Sequence, residues 1–393
     1  MTPPLPLEEA QARLLDAADP LGSETIPVED AAGRRLAAPL VARRTHPWAD
    51  LSAMDGFAVA GNGPWRIIGE SAAGHPFIGS LAPGEATRIS TGAAMPQGAD
   101  AILLIEDSGI QGDSLVADDA PSDRHIRRAG FDFRAESALL STGTRLGPAQ
   151  LALAIMGGAA TVDVARLPNV AIIDTGDELA TRWADDRPDR LPASNGPMLA
   201  AMCAGFVAGI DRIGPVPDDR AALHTAFESA GAADVIVTTG GASVGEHDLV
   251  RPVLEQWGAH IEFWRVAIRP GKPLLVGRRG AQWMIGLPGN PASAFVTAMM
   301  FLLPLLRTLA GLDRMHSLPR AVTATLCSAL PHGGKRREFV RGVLKGGSVT
   351  PIPERDSSAL RALATANCLI DRANDAVAIN EGGLVTVYPF DGA

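Results

Sequence analysis

The sequence predicts a multidomain α/β plus β protein: a doubly wound parallel-sheet domain, a helical elongated domain, an inserted β-domain and a C-terminal β-barrel-like domain. Three observations predict it. Residues 168 to about 311 alternate continuous apolar runs with helix-like segments, and each run closes on a Gly-rich turn, the pattern of a parallel sheet covered by helices. Residues 45–135 carry short apolar runs divided by Gly and Pro, and strand-like alternation resumes from about 318. The chain has 393 residues, 46% hydrophobic and 20% charged, which is too long for one ordinary domain and too apolar for disorder.

Taken in chain order, Leu7, Ala10, Leu14 and Ala17 recur at helical spacing, with Glu8 and Glu9 in the first turn and Pro20 and Gly22 beyond the end. Phe57-Ala58-Val59, Trp65 to Ile68 and Ala101 to Ile105 then read as short strands. A helix returns at Pro148, which suits a first helical position, and stops at Gly157-Gly158. The β-rich stretch is therefore an expected insertion into a helical unit. The expected boundaries are 1–44 with 136–166 for the helical domain, 45–135 for the insertion, 167–314 for the α/β domain and 315–393 for the last.

Within the α/β stretch, Asn169 to Ile173 and Asp234 to Thr238 read as buried strands. Met198 to Phe206 is helical in composition. Trp283-Met284-Ile285 leads into Gly286-Leu287-Pro288-Gly289-Asn290-Pro291 and a long helix to about Leu309. Beyond 318, Ala321 to Leu326, Glu338 to Leu344 and Leu384 to Tyr388 suggest a small closed β-domain.

Composition excludes several function classes. There are 44 acidic against 35 basic side chains, net −9, whereas nucleic-acid binders need a basic excess to neutralise phosphates. Any anion must be held by a local pocket. Cys203, Cys327 and Cys368 are far apart with no C-x-x-C pair, against both a disulfide framework and a thiolate zinc site. The first nine residues lack the bases and apolar run of a signal peptide. The apolar stretch Ala294–Leu306, broken by Thr297 and Pro304, falls short of the roughly 20 residues a bilayer needs. A cytoplasmic protein without a membrane span is expected.

In open α/β sheets ligands sit beyond the carboxyl ends of the strands. Three Gly-bearing turns are expected there: Thr175-Gly176-Asp177-Glu178, Thr239-Gly240-Gly241 and Gly286 to Pro291. Glycine lets backbone approach a ligand, and N–H groups at helix starts favour anions. The turns bring Asp177, Glu178, Glu246 and Asp248, with Asp218-Asp219 between them. Oxygen donors beside a phosphate site are what Mg²⁺ takes, although Asp219 and Asp248 could equally be helix caps. Arg269 and Lys272, on a Pro/Gly-stiffened turn, are placed to meet an oxyanion. In the insertion, Ser52 to Val59, Ser90-Thr91-Gly92 and Arg127 to Asp132 read as turns with polar side chains. No Ser/His/Asp constellation accompanies them.

These motifs resemble one family. Ser52-Ala53-Met54-Asp55-Gly56-Phe57-Ala58-Val59, Thr91-Gly92-Ala93, Pro96 to Ala101 and Arg127 to Asp132 are similar to the amino-terminal signatures of the molybdopterin molybdenumtransferases, the MoeA-type proteins related to the E-domain of gephyrin. Thr175 to Leu179, Gly240 to Asp248, Pro270 to Pro273 and Gly286 to Pro291 resemble the central signatures. Arg337 to Gly342 and Ser357 to Leu360 resemble the carboxyl-terminal ones. The match runs in order over nearly the whole chain.

The resemblance implies a molybdopterin-binding α/β domain, a homodimer, and a cleft between that domain of one subunit and the inserted domain of its partner. It implies molybdate and adenylylated molybdopterin as substrates, AMP release and a divalent cation such as Mg²⁺. By position, Asp55, Thr91, Arg127 and Asp132 take the roles on the inserted side, and Glu178, Asp218, Asp248, Arg269 and Lys272 those on the α/β side. Catalytic roles fall to Asp55, Thr91, Asp132, Glu178, Asp218 and Asp248, with the last three also metal ligands. Substrate contacts fall to Arg127, Gly240, Gly241, Ser243, Arg269, Lys272, Pro288, Asn290 and Pro291. Position 269 is Arg where some members have Lys, which keeps the charge and changes the geometry. The expected protein partners are the molybdopterin adenylyltransferase and downstream cofactor-handling proteins. Rival readings are that adenylyltransferase itself, which needs neither the Ser52–Val59 motif nor the last domain, and a gephyrin-like scaffold.

Overall fold

Six consecutive buried residues, Val170 to Thr175, make the strand β1 (Asn169–Thr175) the heart of a six-stranded sheet. Its side chains alternate between two cores, as a sheet covered on both faces requires. Val170 and Ile172 pack with Val235, Val237 and Ile285 on one face. Ala171 and Ile173 pack with Ile236, Leu223 and Phe227 on the other. The remaining strands are β2 (Gly209–Val216), β3 (Val235–Thr239), β4 (His260–Trp264), β5 (Leu275–Arg279) and β6 (Gln282–Leu287). The spatial order is β2-β1-β3-β6-β5-β4.

Strands β2, β1, β3 and β6 are mutually parallel, as the alternating pattern predicts. β5 is not: it runs antiparallel to both β6 and β4. The expected parallel sheet is thus mixed at this edge. Only Gly280 and Ala281 separate β5 from β6, and a two-residue connection can join only antiparallel neighbours.

The computed structural model describes residues 3–180, 187–241 and 249–390. By contacts the chain divides into two units, 25–164, and 1–24 together with 165–393. The helix α1 (Leu7–Asp16) buries Leu7, Ala10, Leu14 and Leu15 in the first of the two sheet cores. It therefore packs with the α/β unit, whereas the sequence reading grouped it with Pro148–Met156.

The other helices on the sheet are α2 (Asn195–Cys203), α3 (Arg220–Ser229), α4 (Val250–Gln256) and α5 (Pro291–Leu309). α5 is 19 residues long and apolar enough to cross a membrane, yet 94% of its most apolar 18-residue window is buried inside the protein. It is the spine of the core. A π-type turn over Ala298–Leu302 interrupts it. Gln11 of α1 donates its side-chain amide to the Met300 carbonyl there at 2.9 Å, satisfying an acceptor that the wider turn loosens.

Strands β7 (Val322–Leu326), β8 (Arg337–Lys345), β9 (Ser348–Pro351), β10 (Cys368–Arg372) and β11 (Leu384–Pro389) run in the order β8-β9-β7-β11-β10. β10 pairs again with β8, which closes a five-stranded barrel around Val340, Val349, Ile370 and Val387 and leaves those five strands no open edge between them. Ile268–Arg269 adds parallel to β8, in register with Arg337 and Glu338.

In the unit 25–164, six strands form a half-barrel in the order Ala101–Leu104, Gly56–Val59, Glu85–Ile89, Trp65–Ser71, Ser114–Ala117, Ser108–Gln111. Phe57, Val59, Trp65, Leu103 and Leu115 fill it. Gly56 lies so close to the neighbouring strand that a Cβ would stand 2.1 Å from the Leu103 carbonyl oxygen. Pro148–Met156 packs separately with Leu36, Leu146, Val162 and Val164. Cys203 and Cys368 are buried and Cys327 exposed, all as free thiols.

Candidate functional site at the carboxyl edge of the sheet

The parallel register fixes where the glycine turns go. Asp174 stands opposite Thr239, and Thr239 opposite Leu287. The turns after β1, β3 and β6 therefore leave the sheet at one edge. They enclose a cavity of about 790 Å³, whose lining includes Thr175, Glu178, Gly240, Gly241, Pro288, Asn290 and Pro291. The expected convergence is present.

Two of the turn amides serve the fold. Gly176 donates to the Val216 carbonyl and Gly240 to the Leu287 carbonyl, each at 3.1 Å. The N–H groups of Gly241, Gly289 and Asn290 donate to no group among the described residues. These are the amides open to an anion, and Asn290 also begins α5, whose dipole adds to them. Gly241 has φ +61°, and a Cβ there would meet Val250 at 2.3 Å, so only glycine carries the chain through this turn without strain.

Among the acids, Glu178 lines the cavity, is exposed, and makes no side-chain hydrogen bond or ion pair among the described residues. Asp177 accepts from the Asp218 backbone N–H at 3.1 Å, bringing the first turn and the β2–α3 connection together; Asp218 does not line the cavity. Asp219 is a helix cap, accepting from Ala221 and Ala222 at 2.9 Å each. Ser243, Glu246 and Asp248 lie outside the described residues. Among the described residues no three His, Cys, Asp or Glu side chains are gathered for a metal. The donor chemistry still fits Mg²⁺, which takes one or two protein carboxylates and completes its shell with water and substrate phosphate.

The expected cations stand back from the cavity. Arg269 is exposed and faces Glu338 at 3.9 Å, and Lys272 is exposed. Neither lines the cavity, although Pro273 of the same turn does.

Three features were not anticipated as site residues. Asp174 is 5% exposed and lines the cavity. Its carboxylate accepts from the Thr239 hydroxyl at 2.7 Å and from the Gly196 N–H at the start of α2. Burial holds this carboxyl above the usual carboxylate range, against the lowering by those two donors. Asn195 gives its side-chain N–H to the Gly289 carbonyl at 2.7 Å and leaves its amide oxygen buried without a partner. Ser358 and Leu360 of the barrel complete the wall. Their turn is held by the buried Arg341, which donates to the Glu354, Asp356 and Ala359 carbonyls, and by Asn290, which donates to the Ser357 hydroxyl at 2.9 Å. An acid closing an all-apolar strand and Ser-Asn before an apolar run were the readable signals for Asp174 and Asn195. For Arg341 there was none.

In the unit 25–164, Asp55 and Thr91 are brought together: Thr91 donates its N–H at 2.6 Å and its hydroxyl at 3.0 Å to one Asp55 oxygen. Ser52 is buried and folds the turn before Asp55 by bonding Met54. Arg127 pairs by backbone with Leu51, and Asp132 donates its N–H to His46 at 3.1 Å; both side chains are exposed. Asp50, unmarked in the sequence, clamps their connection by accepting from Arg128 and the Ala129 N–H, each at 2.8 Å. Those two contacts, the backbone one first, hold its carboxyl below the usual range.

Comparison with known proteins agrees over the whole length. Family models described as the MoeA N-terminal region (domain I and II), a probable molybdopterin binding domain and the MoeA C-terminal region (domain IV) match residues 5–158, 171–308 and 323–390. A molybdopterin molybdenumtransferase of Haemophilus influenzae is 31% identical, covering 98% of this chain and 99% of its own. Molybdopterin molybdenumtransferase 2 of Mycobacterium tuberculosis is 34% identical, covering 96% of each. The crystal structure of a molybdopterin biosynthesis MoeA protein from Pyrococcus horikosii matches with TM-score 0.85 and 28% identity, covering 100% of both chains. The chain belongs to the molybdopterin molybdenumtransferase family.

Proposed function

We propose that this chain is the transferase that inserts molybdenum into molybdopterin, taking molybdate and adenylylated molybdopterin and releasing AMP. The observation that carries this reading is the convergence of the Gly240–Gly241 and Pro288–Pro291 turns on one cavity with Glu178 at its wall. The amides of Gly241, Gly289 and Asn290, which donate to no described residue, would hold the phosphate of the adenylate, where fixed donors stabilise the charge of the cleaved phosphoanhydride. Asn195 and Asp174 shape the floor beside them, and the Ser358–Leu360 turn covers one side.

Glu178, Asp218 and Asp248 are the proposed holders of Mg²⁺, which when bound would neutralise charge on the phosphate oxygens. Arg269 and Lys272 are proposed to draw molybdate to the mouth. In the reaction an oxygen of molybdate or water attacks the adenylate phosphorus, the P–O bond to the molybdopterin phosphate breaks and AMP leaves carrying that oxygen, while the dithiolene sulfurs displace oxygens of molybdate, which leave as water with the thiol protons.

Asp55, Thr91, Arg127 and Asp132 are proposed to act across a homodimer, from the inserted domain of the partner. Supporting a paired surface, Trp48 and Phe131 are 70% and 78% exposed on segments joined by the Pro47–Gly130 hydrogen bond. The division into domains 1–44 with 136–166, 45–135, 167–314 and 315–393 belongs to the same reading, except that α1 goes with the α/β domain. So do a cytoplasmic location and hand-over from an adenylyltransferase to cofactor-handling proteins.

Purified protein supplied with adenylylated molybdopterin, molybdate and Mg²⁺ is expected to release AMP in proportion to molybdate incorporated. AMP release that ignores molybdate, or none, would reject the reading. Consumption of ATP with molybdopterin alone would identify an adenylyltransferase instead.

A further inference from the structure

A second cavity, of about 430 Å³, lies apart from the first and shares no lining residue with it. The start of the chain, α1, α4 and the end of β4 enclose it, and its charged residues are Arg13, Arg251, Arg265 and Glu262. Three of these four are already engaged: Arg13 with Glu9 at 2.6 Å, Arg251 with Glu255 at 2.9 Å and Glu262 with Arg278 at 3.3 Å. Arg265 is not. It is 7% exposed, and its guanidinium has no hydrogen bond or ion pair among the described residues.

What Arg265 does touch is the Trp264 ring, at 4.1 Å, and Arg251 lies over the same ring at 5.2 Å. Two guanidinium groups thus share one indole at the cavity wall, where a nearby anion would stabilise both. The Trp264 indole N–H is itself buried without an acceptor. The backbone at Arg265 is also unusual, with φ +81°. It is held there from both sides, by the Leu5 N–H on its carbonyl at 3.1 Å and by its own N–H on the Leu274 carbonyl at 3.0 Å. Strain of this kind, in a side-chain-bearing residue, gathers at ligand clamps.

We propose that this cavity is a second anion site, which takes a small oxyanion (carboxylate or phosphate) on Arg265, with Arg251 as the second donor. The wall holds three arginines against one carboxylate, Glu262, which Arg278 already engages, so an added anion would be favourable there. In a protein of net charge −9 such a site must be built locally. The cavity is large enough for a metabolite bearing the oxyanion.

Crystals soaked in selenate test it by anomalous scattering. A peak within hydrogen-bonding reach of Arg265 is expected in the native protein, and its loss is expected in Arg265→Met. Calorimetry with inorganic phosphate and, separately, citrate covers the case in which Arg265→Met fails to fold. Arg251→Ala, a half-exposed helix position, is expected to weaken whichever of the two binds here at least several-fold. Which titrant responds distinguishes a phosphate from a carboxylate ligand. Selenate confined to the turns of the first cavity, or titrations unchanged in Arg251→Ala, would overturn the proposal. Neither result depends on molybdenum transfer.

Discussion

Two carboxylates at the sheet edge differ in their surroundings, and so in what their replacement does. Glu178 is exposed and has no side-chain partner among the described residues, the state suited to taking a cation or a water. Glu178→Gln keeps its shape and removes its charge, so molybdate-dependent AMP release is expected to fall roughly 100-fold or more, with circular dichroism unchanged. Asp174 is buried, and burial holds its folded-state pKa above the usual carboxylate range. The folded protein therefore keeps this proton to higher pH than the unfolded chain does. The contribution of Asp174 to stability falls as pH rises from about 4 through the raised value, and is level beyond it. Asp174→Asn removes that slope. Urea unfolding at a series of pH values is expected to show the variant gaining on the native protein as pH rises; a constant difference would refute the assignment. The exposed candidates were legible because charged residues beside glycine are conspicuous in a sequence. Asp174 closes an apolar run and was readable only as its end, and the reach of Arg341 to three carbonyls depends on a turn that only the closed barrel positions.

At the scale of elements, the site depends on two turns and one cap. Gly241→Ala places a Cβ 2.3 Å from Val250 at φ +61°. It should cost about 1–3 kcal/mol and abolish AMP release through displacement of the Gly241 amide. Asp219→Ala removes a cap on α3 and should cost about 1 kcal/mol in urea unfolding with AMP release retained, since Asp219 faces its own helix. Equal loss of activity from Asp219→Ala would place a ligand where the structure places a cap. Strands β1, β3 and β6 were readable as apolar runs with a terminal glycine turn. β2 was not: Asp211 and Arg212 are exposed and Gly214-Pro215 interrupts it, as an edge strand permits. β5 and its antiparallel direction were not legible either, because a two-residue turn leaves no trace in hydrophobic periodicity.

At the scale of the molecule, the barrel is fastened to the α/β part by the wall it contributes, by the pairing of Ile268–Arg269 with β8 and by the contact of Arg337 with α1. Arg337 bonds Asp371 through two nitrogens and also contacts Glu8 of α1. Asp371 is 9% exposed in its side chain, so Asp371→Asn removes the buried carboxylate and leaves the arginine only the exposed Glu8 as a counter-charge. A loss of about 3 kcal/mol in unfolding free energy is expected. The order of domains was legible because each has its own periodicity. The placement of α1 was not, since an amphipathic helix does not name the surface it covers. The most direct test is a crystal structure with AMP bound. Density for the phosphate is expected against the Gly241, Gly289 and Asn290 amides, with Glu178 at its side. A phosphate held elsewhere, with those three amides left to solvent, would contradict the site described here.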